Sequence, residues 1–341
     1  MGTAPLSGTR VRPVLLLILI ILASAANAEP PQLAFPAACT PDQDCWIVNY
    51  MDDDPSPDSA RDFQCGAQTY EGHDGIDIAI RDWKTLQAGV DVLAAADGTV
   101  LRTRDGMEDR ELSRDDLQKL LKENRACGNG VFVDHGDGWQ TIYCHMKKGS
   151  IVVKPGNTVR TGQKLGQVGH TGYVEFPHMH LGVKHGRQAI DPFTGLGTRD
   201  GCGRMHAPLW RKDTAIGYEL VSIYAAGFRG HEPDLEQIKQ DASSPAILPR
   251  DATVLAFWAA LYGVAAGDRI ALEVRDPDGR MFARREITQD RTRARQFYFV
   301  GKRTDRAALN PGTYTGTVLI TRKAEQGAPI TRELQQRIEV K

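Results

Sequence analysis

The chain has 341 residues, 41% hydrophobic and 25% charged, which is enough for two modest cores rather than one large one. Its 42 Lys and Arg balance 43 Asp and Glu, for a formal charge of −1. With no concentrated basic patch, that balance argues against nucleic-acid binding.

The first predicted element is a secretory signal peptide over residues 1–28. Arg10 and Arg12 form its charged region, Val14 to Leu22 its apolar run, and Ala26-Asn27-Ala28 a small-residue cleavage site. That run is too short to span a bilayer, and no later stretch reaches the roughly eighteen apolar residues of a membrane helix. The mature chain is expected to begin near Glu29, to be exported, and to keep no stable membrane span. The six cysteines, Cys39, Cys45, Cys65, Cys127, Cys144 and Cys202, all lie in the exported part. An even number there predicts disulfides. Cys127 and Cys144 flank a predicted hairpin, Cys39 and Cys45 close a short loop, and Cys65 is left to pair with Cys202. None has C-x-x-C spacing. A nucleophilic role for Cys144, beside His145, is disfavoured where thiols oxidise.

Residues 29–70 are rich in Pro, Asp and Cys and read as a coiled lead-in, stapled to the catalytic body. Within them Asp52-Asp53-Asp54 reads as a solvated turn before Pro55 rather than a calcium site. Residues 71–195 read as mainly antiparallel β, with strands separated by turn signals such as HGDG, KPGN and RTGQ. VFVDHGDGWQTIYCH is a hairpin signal with HGDG at its bend. A charged helical insert spans about 104–126, N-capped by Ser113. It is either a wall or lid beside the sheet or an inert excursion. Residues 196–216 form a connector. Residues 217–341 hold strand-like runs at the spacing of an immunoglobulin-like β-sandwich, including ELVSIYAAGF, RIALEVRDPDG, RQFYFVGK and GTYTGTVLITR. TVLAFWAALYG alone fits a buried helix equally well. No catalytic cluster falls in this region, so its expected role is binding, docking or spacing.

Two histidine motifs carry the chemistry. They are His73-Asp74-Gly75-Ile76-Asp77 and His178-Met179-His180. Together they offer two imidazoles and a carboxylate to one metal, with one histidine to spare. Three protein ligands leave a fourth position for water, the arrangement of a hydrolytic zinc site. On a strand His178 and His180 face the same side, so one can bind metal while the other sits beside it. His73 and Asp77 are too far apart on a straight strand, and GHDGIDIAI is poor helix material. A bend at Gly75 is therefore expected, with Asp77 opening the strand IDIAI.

Residues 72–193 resemble the LytM-type, lysostaphin-like zinc peptidases that cut peptidoglycan peptides. GHDGIDIA resembles the family's H-x-G-x-D segment, and ADGTV its A-x-x-G-x-V turn. VDHGDGWQTIYCHM resembles the D-H-G-x-G-x-x-T-x-Y-x-H-L hairpin, and VGHTGYVEFPHMHLGV the G-x-T-G-x-x-x-x-P-H-L-H-F segment. The resemblance implies one zinc ion held by His73, Asp77 and His180, with His145 and His178 as catalytic histidines. It implies a barrel-sandwich-like peptidase domain and hydrolysis of peptide cross-links in bacterial peptidoglycan. An unanchored, cysteine-bearing chain points to the periplasm, with an extracellular location as the alternative. A wall or protein partner for the C-terminal domain is a further expectation. Two other functions compete: a non-catalytic activator of a cell-wall amidase, and a general extracellular peptidase. Tyr70 is a candidate oxyanion donor if it does not simply pack or lie exposed. His135 reads as hairpin chemistry, and His170 and His185 as local polar residues.

Overall fold

Alternating apolar residues in the first half of the chain build one antiparallel sheet with two different faces. The computed structural model describes residues 1–2, 29–304, 308–323 and 328–341. The expected signal peptide and its cleavage site lie outside the described residues. The strands are β1 (Cys45–Asn49), β2 (Ile76–Ile80), β3 (Asp91–Leu93), β4 (Gly98–Arg104), β5 (Gly130–Gly136), β6 (Trp139–Cys144), β7 (Thr158–Val159), β8 (Lys164–Gln167), β9 (His178–His185) and β10 (Gln188–Ala189). They order as β1-β2-β9-β6-β5-β4-β7, with β10 beside β9, while β3 and β8 form a separate ribbon. Ile76, Ile78 and Ile80, Val131 and Val133, and Met179, Leu181 and Val183 all join one buried core. The intervening residues of β2, β9, β6, β5 and β4 fall on the opposite face.

The lead-in is more than a coil. It supplies β1, whose Cys45 to Asn49 pairs with Ile80 to Asp77, and Leu33, Tyr50 and Phe63 join the main core. Its acidic run also departs from expectation, because Asp52 and Asp53 are each only 2% exposed. Asp52 accepts hydrogen bonds from the backbone N–H groups of Asp54, Arg61 and Gly72, so its carboxylate organises the loop from inside. Asp54 alone keeps the turn role, accepting from the Ser56 N–H and the Ser59 hydroxyl.

The HGDG bend places Asp137 and Gly138 at φ 50° and 86°, the left-handed pair of a tight hairpin turn. The insert is helical only over α2 (Arg114–Lys122), following the six-residue α1 (Trp83–Ala88). Ser113 caps α2 by accepting from the Asp116 N–H. Residues 105–109 form no helix, and Asp105 and Asp109 accept from the backbone N–H groups of Gly149, Lys148 and His170. Three disulfides form, Cys39–Cys45, Cys65–Cys202 and Cys127–Cys144.

The C-terminal part is a β-sandwich. One sheet contains β11 (Ser222–Arg229), β13 (Val254–Val264) and β16 (Arg293–Arg303). The other contains β12 (Ile247–Leu248), β18 (Ile330–Val340), β17 (Gly312–Arg322), β14 (Arg269–Arg275) and β15 (Met281–Thr288). A short helix, α3 (Leu235–Gln240), lies between β11 and β12. The stretch that also fitted a helix is β13, and it is apolar throughout because both of its faces are buried. Leu255, Phe257, Ala259 and Leu261 enter the sandwich core. Trp258, Ala260 and Tyr262 enter a second core shared with Trp46, Val48, Ala79 and Phe176 of the first unit. Among the described residues no helix is long and apolar enough to cross a membrane.

Candidate metal centre

The register of β2 against β9 sets Asp77 opposite His180 and Ala79 opposite His178. The polar alternation of both strands therefore falls on one face, while the isoleucines and Met179 point into the core. His73 reaches the same point from the loop before β2. Gly75 makes this possible. A Cβ there would lie 2.3 Å from the Leu181 carbonyl oxygen and 2.7 Å from His180 Nε2.

Three ligand atoms form a triangle. His73 Nε2 lies 3.1 Å from Asp77 Oδ1 and 3.1 Å from His180 Nδ1, and the last two are also 3.1 Å apart. All three residues are buried, and the group has the donor set of a metal site. Each ligand is held from behind. His73 Nδ1 is 2.6 Å from the Tyr50 carbonyl oxygen, to which it donates if the lone pair at Nε2 faces the triangle. Asn49 donates from Nδ2 to Asp77 Oδ2 at 2.9 Å. His180 Nε2 faces Asp74 Oδ1 at 3.4 Å. Such outer contacts fix the tautomer and orientation of metal ligands.

The electrostatics favour a cation. Burial opposes ionisation of Asp77, yet the surrounding imidazoles of His73, His178 and His180 hold its carboxyl well below the usual carboxylate range. Burial also opposes a charged His180, but its bonds to Asp74 and Asp77 outweigh that and push it up to about 9. The site holds a positive charge at His180 when only protons compete for it, and a metal ion would take that proton's place.

His145 and His178 stand beside the triangle, their rings 4.7 Å apart between centroids. Each has Nδ1 against a backbone carbonyl, Thr171 at 2.8 Å for His145 and Phe176 at 2.8 Å for His178. That leaves Nε2 of each without a proton when the ring is neutral. Burial, then the neighbouring imidazoles, holds His145 well below the usual histidine range, and burial lowers His178 also. His145 has φ 61°, an uncommon conformation for a residue with a side chain. It follows Cys144 at the end of β6, where the Cys127 disulfide and the bond from His145 N–H to the Cys127 carbonyl hold it.

His73, His180 and His145 line a cleft of about 780 Å³. Tyr70 stacks on His73 at 4.4 Å and, with Tyr173, forms part of its wall. Leu121 and Asn124, at and just beyond the end of α2, form another part, so the insert borders the site. The remaining histidines lie elsewhere. His135 bridges the Asp97 carbonyl and the Thr141 hydroxyl. His185 stacks on Trp139, and His170 packs against Trp83. Asn49, Asp74 and the carbonyls of Tyr50, Thr171 and Phe176 were not singled out from sequence. Asp74 sits inside the first motif and could have been. The carbonyls act through the backbone, which carries no residue-type signal.

Residues 71–192 match the model of peptidase family M23. An uncharacterized metalloprotease of Haemophilus influenzae is 30% identical over 122 residues, 36% of this chain and 20% of that protein. Peptidoglycan DD-endopeptidase ShyA of Vibrio cholerae is 32% identical over 108 residues, 32% of this chain and 19% of that protein. The catalytic domain of the antimicrobial peptidase lysostaphin from Staphylococcus simulans is 25% identical, over 36% of this chain and 76% of that one, with a TM-score of 0.25. The chain thus spans about a fifth of the length of these two curated relatives.

Proposed function

We propose that the protein is an exported zinc endopeptidase that hydrolyses peptide cross-links of bacterial peptidoglycan. The observation that carries this reading is the 3.1 Å triangle of His73, Asp77 and His180 with two buried imidazoles beside it. Zinc–ligand distances of about 2.0–2.1 Å in a tetrahedron require donor atoms about 3.3 Å apart, so the donor set fits zinc with its fourth position open. When bound, zinc supplies the Lewis acidity that makes water a nucleophile at neutral pH and polarises a scissile carbonyl. His145, neutral and fixed by Thr171, accepts the proton of the attacking water at Nε2 and returns it to the leaving amine. His178, fixed by the Phe176 carbonyl, shares that proton work or donates to the developing oxyanion. Tyr70 is placed on the cleft wall to do the latter as well.

Export is supported by the signal-peptide pattern in the sequence and by three disulfides, which persist in oxidising compartments. Together with the peptidoglycan-acting relative, they favour the periplasm. A non-catalytic amidase activator is disfavoured because all five histidine and aspartate positions are filled and stand in contact with one another. The immunoglobulin-like assignment of the sandwich and its binding of a wall or protein partner are part of the same proposal. The test joins zinc analysis of the purified protein to mass spectrometry of muropeptides released from sacculi. One zinc per chain and monomers released from cross-linked dimers are expected. Zinc-loaded protein that releases nothing while stimulating an added amidase would instead establish the activator.

A further inference from the structure

Resting on the peptidase reading, we infer that Arg102 and Arg104 form a carboxylate-reading subsite of the metal cleft, selecting peptides that carry a free carboxylate about four residues from the scissile bond. The register of the sheet places them. In one transverse row Asp77 pairs with His180, His180 with Cys144, and Gly130 with Arg104, while the Val131–Tyr143 pair brings Gly130 beside Cys144. In the next row Gly182 pairs with Ile142, Ile142 with Phe132, and Phe132 with Arg102. The metal ligands and the two arginines are thus opposite ends of one floor, both lining the same cleft. Three strand spacings of about 4.8 Å separate β9 from β4, or about 14 Å. An extended peptide covers that in about four residues.

The two cations are built in and unneutralised. The Arg102 guanidinium lies 3.8 Å from the centre of the Phe132 ring, which orients its donors and leaves its edge free. Arg104 donates from Nε to the Gly128 carbonyl, and its partial burial lowers its pKa. A desolvated cation of this kind gains from an incoming anion. Among the described residues neither has a carboxylate within 4 Å, unlike Lys184 on the same face, which Asp74 engages at 3.7 Å. Gly130 keeps the floor low between the two ends, since a Cβ there would sit 3.1 Å from Cys127 Sγ. The opposite pole of the cleft carries Glu71 and Asp74, so a peptide with its carboxylate over β4 runs down the gradient of charge.

The test uses the full zinc-loaded chain and two pairs of probes. One is a cross-linked stem-peptide dimer with free carboxyls and its fully amidated counterpart. The other is an uncross-linked stem tripeptide in the same two forms, which offers no cross-link to cut. The wild type is expected to prefer the acid form about tenfold or more, in kcat/KM for the dimer and in calorimetric Kd for the tripeptide. Arg102→Gln, at an exposed position, should bring both preferences within about threefold. An unchanged preference in Arg102→Gln, or none in the wild type, overturns the subsite. Acid-selective tripeptide binding that Arg102→Gln removes, with neither dimer hydrolysed, upholds the subsite and sinks the peptidase reading instead.

Discussion

At the scale of single residues, the proposed function divides groups that would hold metal from groups that would move protons. His180 contributes one corner of the triangle, and His145 lies outside the group whose ligand atoms converge, with its Nδ1 on the Thr171 carbonyl. His180→Ala is therefore expected to lose zinc. His145→Ala is expected to keep it and to lose about 10²–10⁴-fold in turnover, the usual worth of a positioned acid–base group. Zinc content by atomic absorption and single-turnover rates on a cross-linked peptide check both. Full zinc in His180→Ala, or zinc loss in His145→Ala, would reverse the division. The spare histidine of the second motif is what made that division readable from sequence. Period-two alternation puts His178 and His180 on one face, but the choice between them rests on Asp77 standing opposite His180 rather than His178. Register of that kind is a long-range pairing and leaves no mark in either motif.

At the scale of elements, the lead-in acts as a clamp behind the candidate metal site. Tyr50 and Asp52 both bond to His73 or its backbone, and Asp53 turns inward toward Asp191 at the far end of the family domain. Asp53 Oδ1 and Asp191 Oδ2 are buried with no hydrogen-bond partner, an arrangement that disfavours two charged carboxylates side by side. Burial, then the Asp191 charge, pushes Asp53 up to about 8, and burial raises Asp191 too. A carboxyl whose pKa is raised on folding gives stability that is fully present below about pH 4 and is lost as pH climbs through its folded pKa. The melting temperature of the zinc-saturated protein should fall as pH rises from about 4 to about 8 and level off above that. Asp191→Asn, which can donate to Asp53 without titrating, should flatten that slope, and an equally steep slope in the variant would exclude the pair. None of this was legible in the sequence, where three aspartates before a proline look like a solvated turn. The strands with clean alternation or continuous apolar runs were legible, such as IDIAI, HMHLGVKH and RIALEV. MFARREIT and ITRELQQRIEV were not, because long charged side chains line their half-buried faces and hide the period. α2 was found through its cap, but the non-helical part of the insert was not. That part is held by Asp105 and Asp109 binding a distant loop.

At the scale of the molecule, the sandwich does more than hang from the peptidase unit. Its β13 lends Trp258 and Tyr262 to a core that also contains Trp46, Val48, Ala79 and Phe176. Polar contacts surround that core: Tyr262 donates to the Ile80 carbonyl, Glu219 N–H to the Tyr50 hydroxyl, and Lys84 to Asp241. Phe176 lies 5.4 Å from the Tyr262 ring and 5.1 Å from that of His178, and its carbonyl fixes His178 Nδ1. The sandwich therefore supports His178, a catalytic histidine in the proposed function, through one intervening residue. If residues 217–341 only docked the enzyme onto its polymer, a chain ending at 216 would keep zinc and cut soluble peptides at full rate, losing only local concentration at the wall. The shared core predicts otherwise. Uncovering Trp46, Val48 and Phe176 forfeits about 1.5–3 kcal/mol for each fully buried side chain, a sum comparable to the net stability of a typical domain. The shortened chain should melt well below the full protein, bind a hydrophobic dye, and turn over soluble peptide poorly even when zinc is supplied. Tyr262→Ala in the full chain is the gentler version, expected to lower kcat more than KM by loosening Phe176 and His178 while leaving the triangle loaded. A shortened chain that is well folded, zinc-loaded and fully active on soluble peptide would show that the interface only tethers, and that the chemistry stands on the family domain alone.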